Sequence, residues 1–144
     1  MQKDFARLEK NDQDRAHSKN ENKDTSSNGA SGRIVTQHIE SFLENNLEAV
    51  LSDYTSESVL ITEEAIYTGT EEIRAFFSGL ITHFPRQTSK MSLEKMVVDD
   101  TLVFIVWRAK TSSLEVPFAS DTFIVKEGKI HRQTFVGQLK FIRQ

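Results

Sequence analysis

The stretch that most constrains this chain is Val116 to Val136, VPFASDTFIVKEGKIHRQTFV. β-branched and aromatic residues fill both ends, and Lys126-Glu127-Gly128-Lys129 interrupts them. A glycine in a short charged break supplies the positive φ that a hairpin turn needs, so the stretch predicts two antiparallel strands and a tight turn. Alternation puts Ala119, Asp121, Phe123 and Val125 on one face of the first strand, and Ser120, Thr122 and Ile124 on the other. An acid between Ala119 and Phe123 interrupts an apolar face, and Asp is a poor strand former. Asp121 is therefore the first candidate for chemistry.

The chain has 144 residues, enough for one domain. Its mean hydropathy of −0.43 is low for a chain that is compact throughout. The deficit is local: Met1, Phe5 and Leu8 are the large apolar side chains before Ile34. Such a segment cannot bury enough apolar area to offset roughly 1–2 kcal/mol of backbone entropy per residue. Residues 1–32 are thus expected to be a disordered polar tail, with a short frayed helix near Asp4–Lys10, and residues 33–144 to be the domain. A net charge of −3 without a basic stripe argues against a nucleic-acid partner. There is no Cys, hence no disulfide frame and no thiolate chemistry. No apolar run reaches the length of a membrane span, and no apolar leader opens the chain, so the expected location is cytoplasmic.

From Ile34 the apolar residues Val35, Ile39, Phe42 and Leu43 fall at helical spacing, with His38 on the same face. Asn45-Asn46 breaks that helix, and Leu47–Tyr54 reads as a second short one with Tyr54 inward. Short strands follow at Ser56–Thr62 and Ala65–Thr68. Gly69-Thr70-Glu71-Glu72 is a helix start in which Thr70 can cap and the acids favour the helix dipole. The helix carries Ile73, Phe76, Phe77, Leu80, Ile81 and Phe84 on one stripe and should end near Phe84, before Pro85. The remainder is strand-like: Ser89–Val98, then Thr101–Thr111, then the hairpin, ending near Gln138. Helices first and antiparallel strands after them give an α+β class, with one sheet face carrying the helices.

That order of elements, together with LEAVLSDYTS at Leu47–Ser56, GTEEIRAFF at Gly69–Phe77 and DTFIVKEGKI at Asp121–Ile130, resembles the SnoaL-like branch of the nuclear transport factor 2-like superfamily. The likeness spans about residues 33–139. It implies a cone: a curved antiparallel sheet packed on about three helices, around an apolar pocket. It also implies a small, largely apolar ligand and a homodimer through the sheet. Members include ketosteroid isomerases, polyketide cyclases, dehydratases, epoxide hydrolases and proteins with no known reaction, so fold alone does not give function. Asp121 matches the position at which the isomerases keep a protonated Asp, and cyclases use an acid–base Asp on the same strand. The position of the isomerases' helix-one Tyr holds His38, and that of their general base holds Thr62, with Glu63 and Glu64 beside it. Two of the three isomerase groups are therefore absent.

Two functional readings stay open. In the first, the chain is an enzyme: Asp121, raised in pKa by burial, pairs with His38 for acid–base chemistry such as proton abstraction beside a carbonyl, a cyclisation or a dehydration. Tyr54, Phe42, Phe76 and Trp107 would then line the pocket, and Gln133, alternating with His131 and Phe135, would offer an amide. An open cavity of roughly 300 Å³ or more would favour this reading. In the second, the cone is filled by its own side chains, Asp121 is a bonded core residue, and the protein is a ligand-binding or dimeric scaffolding module. Trp107 alternates with Val103 and Ile105, while Leu102, Phe104 and Val106 line the opposite face, and a strand apolar on both faces must be covered on both. His83 sits at a helix end, His131 near the turn and His17 in the tail; no pair has metal-ligand spacing. Phosphate loops and nucleophile elbows are also absent, so no cofactor is expected.

Overall fold

The computed structural model describes residues 26–143. The expected tail helix at Asp4–Lys10 lies outside the described residues, as does His17. Three helices and seven strands follow in the order α1 (Ser26–Leu43), α2 (Leu47–Leu51), β1 (Tyr54–Ile61), β2 (Ile66–Thr68), α3 (Gly69–Ile81), β3 (Lys90–Asp99), β4 (Leu102–Lys110), β5 (Leu114–Lys126), β6 (Lys129–Gly137) and β7 (Lys140–Phe141). No described helix is long and apolar enough to cross a membrane.

Helix α1 begins at Ser26, so residues 26–32, read from composition as tail, are helical. Ser31 is buried, and a Cβ at Gly32 would meet Val98 Cγ2 of β3 at 3.2 Å. Residues that look featureless in the sequence let the helix lie close to the sheet. The two asparagines that end α1 have separate tasks. Asn45 takes a left-handed φ of 60°, donates from Nδ2 to Phe84 O at 2.7 Å and accepts from Arg86 N–H at 3.0 Å. Asn46 caps α2 by accepting from Ala49 N–H at 3.1 Å.

Helix α2 stops at Leu51, and Tyr54 opens β1, where a longer helix was expected. The start of α3 also differs from expectation. Its N-cap is Thr68, whose side chain makes no capping bond; Thr70 is not the cap. Thr68 N–H donates instead to Glu72 Oε1 at 2.8 Å, and Gly69 holds φ +83°, where a Cβ would meet Ser56 O at 3.1 Å. Helix α3 ends at Ile81, with Phe84 buried in the turn beyond.

The sheet runs β2-β1-β6-β5-β4-β3, with β7 on the first part of β5. It is mixed, because β1 pairs with β6 in parallel while every other pair is antiparallel. Chain order alone suggested a wholly antiparallel sheet; a strand that precedes a crossover helix is free to return in either direction. The β5–β6 hairpin turns on Glu127 and Gly128, both at positive φ (52° and 74°), which matches the twist of the strands it joins. Bulges bend the sheet. Pro117 and Phe118 fall where β5 gains a residue against β4, a place where proline is tolerated because ladder bonding lapses. His131 is the extra residue of β6 opposite Ile124–Val125. It therefore breaks the alternation expected with Gln133 and Phe135.

Helix α1 packs across β3, β4 and β5, α3 packs on β1 and β2, and α2 bridges the two helices. Val35, Leu60, Ile73, Phe84, Val103, Ile105, Phe123 and Ile130 form the centre of the core between them. Leu102, Phe104 and Val106 face the other side of the sheet, where they stay half-buried or exposed.

Candidate functional site

Asp121 lies on the concave face of β5, opposite Ile105 on one side and Phe135 on the other. Its side chain is 6% exposed. Because strand neighbours on one face come in diagonal pairs, Trp107 of β4 and Gln133 of β6 reach it from either side. Trp107 Nε1 donates to Oδ1 at 2.7 Å, and Gln133 Nε2 donates to Oδ2 at 2.9 Å. Burial raises the Asp121 pKa from 3.8 to about 6, against the lowering effect of these two donors and of His38. The carboxyl group can thus hold or release a proton near neutral pH.

The hydrogen bonds continue away from Asp121. Gln133 Oε1 accepts from Tyr54 O–H at 2.5 Å, the Tyr54 oxygen meets His38 Nε2 at 3.2 Å, and His38 Nδ1 meets Asp53 Oδ2 at 3.0 Å. Burial, reinforced by the charges of Asp121 and Asp53, pushes the Tyr54 hydroxyl well above its usual range, so it stays a phenol. His38 is wedged edge-on among Tyr54, Phe77 and Phe123, with ring centroids at 5.4, 5.7 and 6.0 Å. Among the described residues, every buried side-chain nitrogen and oxygen has a partner. A polar chain of this kind in an apolar core is tolerated because each member is satisfied.

A cavity of about 60 Å³ opens beside Asp121, His38 and Gln133, walled by Phe42, Phe76 and Trp107 among other apolar side chains. That volume falls far short of the open pocket expected for a drug-sized ligand. Phe76, Leu80, Met91 and Phe135, at its rim, are only partly buried. Trp107 and Phe135 stack at 6.2 Å with their planes 21° apart, and Phe84 meets Trp107 edge-on at 6.4 Å.

Of the residues singled out from sequence, Asp121, His38, Phe42, Phe76, Trp107 and Gln133 come together around this cavity. Tyr54 does not line it: as the first residue of β1 it stands behind His38 and Gln133. Nor do Asp121 and His38 bond to each other. Tyr54 and Gln133 connect them instead: Tyr54 bonds His38 and Gln133, and Gln133 bonds Asp121. Glu63 and Glu64 are exposed, and Thr62 spends its hydroxyl on the turn with Ala65. His83 bonds Ser113 and packs on Phe141 beyond the end of α3. Asp53 was invisible to sequence reasoning. It follows α2 in the short link to β1, and nothing in the text around it marks it as the partner of His38. Its place is fixed when its carbonyl accepts from Ile130 N–H at 2.7 Å, a contact across 77 residues of chain.

Residues 35–133 match the sequence profile of the SnoaL-like domain. Among solved structures, a candidate SnoaL-like polyketide cyclase from Shewanella putrefaciens superposes with a TM-score of 0.64 at 11% identity, covering 74% of this chain and 79% of that one. A candidate ketosteroid isomerase from Kribbella flavida gives 0.63 at 8% identity, covering 81% and 83%. An LEH-like epoxide hydrolase from M. tuberculosis gives 0.60 at 12% identity, covering 76% and 84%. At these identities the likeness is one of fold. A search of curated proteins gives no match.

Proposed function

We infer a function from one premise: this chain belongs to the SnoaL-like domain family. The cone binds a small, largely apolar molecule, and Asp121 is the polar group that meets it, either donating a hydrogen bond or exchanging a proton. The observation that carries this reading is the carboxyl group itself, buried against an apolar cavity, where burial raises its pKa to about 6. A protonated acid there can donate to a carbonyl or leaving oxygen, and its ionised form can take a proton from a carbon beside a carbonyl. The reaction type this favours is an isomerisation, cyclisation or dehydration. Structural neighbours described as an isomerase, a cyclase and an epoxide hydrolase are consistent with it. The cavity has to widen to admit such a molecule, and the partly buried rim of Phe76, Leu80, Met91 and Phe135 is where it can do so.

The test is a thermal-shift screen of the full chain against steroid-, polyketide- and terpene-like compounds. A true ligand at a hundred times its dissociation constant stabilises by about 2.7 kcal/mol. The same compound should lose its effect on Leu80→Phe, which fills the cavity, and change affinity on Asp121→Asn. Hits that ignore Leu80→Phe would place binding elsewhere and sink the reading.

A second reading draws on the small size of the cavity and on the uncovered side of the sheet. Leu102, Phe104, Val106, Ile124 and Val136 face outward together, with Leu102 37% and Val136 46% exposed. A homodimer through this face, without catalysis, would bury them. Light scattering should then show a dimer that Phe104→Lys converts to a monomer. A monomeric wild type at micromolar concentration would rule it out.

A further inference from the structure

The acid–base reading of Asp121 raises a physical problem. A buried carboxyl group that gains or loses a proton must be reset, and an apolar ligand filling the cavity would shut out water. The hydrogen bonds run from Asp121 through Gln133, Tyr54 and His38 to Asp53; Gln133 and His38 also line the cavity, Tyr54 stands behind them, and the Asp53 side chain is 18% exposed. We propose that Gln133 and Tyr54 couple the protonation of Asp121 to that of His38: one proton resides on either group, and the sense of the bonds between them is set by which group holds it. The proposal rests on the functional reading only for its purpose, and it can be tested on the ligand-free protein.

Trp107 Nε1 can only donate, so Asp121 Oδ1 accepts under all conditions, and Oδ2 is the oxygen left to carry a proton. When Asp121 is ionised, Gln133 Nε2 donates to Oδ2, which turns Gln133 Oε1 toward Tyr54 to accept its O–H. The Tyr54 oxygen must then accept from His38 Nε2–H. The Asp53 carboxylate accepts from Nδ1–H, so both ring nitrogens carry protons.

Reversing the sense of the bonds gives a second arrangement that is just as complete. Asp121 Oδ2–H donates to the carbonyl of a Gln133 amide turned end for end, the amide N–H donates to Tyr54, Tyr54 O–H donates to His38 Nε2, and Nδ1–H still donates to Asp53. The two arrangements contain the same number of protons. Between them the Nε2–H bond of His38 is broken and an O–H bond on Asp121 is formed. Tyr54 and Gln133 hold one hydroxyl and two amide protons before and after. From His38 the Asp53 carboxylate offers the route to solvent.

No competing group blurs the pair. His38 and Asp121 are the titratable side chains lining the cavity, and the faces packed on them from α3, β4 and β6 present Phe76, Phe77, Ile105, Trp107, Gln133 and Phe135. Tyr54 and Asp53 are the other titratable groups on the chain.

The test is a pH titration of the full-length, ligand-free protein by NMR, following the Asp121 carboxyl carbon and the His38 ring nitrogens together. Two sites that share a proton titrate as a pair, so both nuclei should report the same two steps. Tyr54→Phe and, separately, Gln133→Met cut the chain while retaining ring or length. In either variant the curves should collapse to one step per residue. Single, unrelated steps in the wild type would overturn the proposal, a refutation that stands even if neither variant folds. Two-step curves that persist in the variants would also overturn it, since the coupling would then be through-space electrostatics. Coupled titration with no hit in the ligand screen would leave the coupling standing and remove the ligand.

Discussion

Replacing Asp121 with Asn should stabilise the protein at neutral pH, contrary to the usual outcome of removing a buried, doubly bonded group. Asn has the shape and hydrogen-bonding capacity of the protonated acid. Its oxygen accepts from Trp107 Nε1, and its amide donates to Gln133 once that side chain turns over. The wild-type carboxyl group has its pKa raised from 3.8 to about 6 by burial. A raised folded-state pKa means that the protonated form is favoured by folding, so its contribution is fully present below the unfolded value and is lost as pH rises through 6. About two units at 1.36 kcal/mol each give roughly 3 kcal/mol lost by neutral pH. Asn does not titrate and loses none of it. Urea denaturation of both proteins at intervals from pH 4 to pH 8 measures the difference, and the other carboxylates cancel because both chains carry them. The variant should match the wild type near pH 4 and exceed it by about 3 kcal/mol above pH 7. A difference that does not vary with pH, or a variant weaker than wild type at pH 7, would refute the view that desolvation governs this group.

Other substitutions test neighbouring parts of the argument. Trp107→Phe removes a donor that bonds the ionised carboxyl group more strongly than the protonated one, by about 1–1.5 kcal/mol, so the Asp121 midpoint should climb by roughly 1 unit in a carboxyl-carbon titration. A fall would mean that this bond does not stabilise the anion. Gly69→Ala places a side chain at φ +83° with its Cβ 3.1 Å from Ser56 O, and should cost about 2 kcal/mol by urea denaturation. Phe84→Ala empties a fully buried site beside Phe42 and Trp107 and should cost about 3–5 kcal/mol in the same assay. A chain starting at Arg33 loses the first turns of α1 and the buried Ser31, and should be less stable than the full chain by about 1–2 kcal/mol. Equal stability would return residues 26–32 to the status of a tail.

Much of the fold was readable because it follows from local rules. The alternation in β4 and β5, the stripe of α3 and the glycine in the final turn each depend on a few adjacent residues, and the observed elements fall close to where those patterns put them. The departures occur where a distant contact overrides local preference. Ser31 and Gly32 look like tail until β3 lies against them. Tyr54 has helical spacing with Val50 and Leu51, yet pairing with Ile130 draws it into β1. The parallel join of β1 to β6 is likewise a long-range choice.

The site divides along the same line. The sequence by itself determined that an acid stands on the apolar face of a central strand, because side-chain alternation is a property of the strand alone. Helical spacing likewise put His38 on the apolar face of the first helix. Which of them touch was decided by the tertiary structure. Tyr54, Phe77 and Phe123 hold the His38 ring, and strand register sets Gln133 beside Asp121. In place of a His38–Asp121 pair, a longer chain runs through Tyr54 and Gln133 and ends on an aspartate, Asp53, that no local pattern marks. Hydrogen bonds act over about 3 Å, and only the packed fold sets distances between elements that finely.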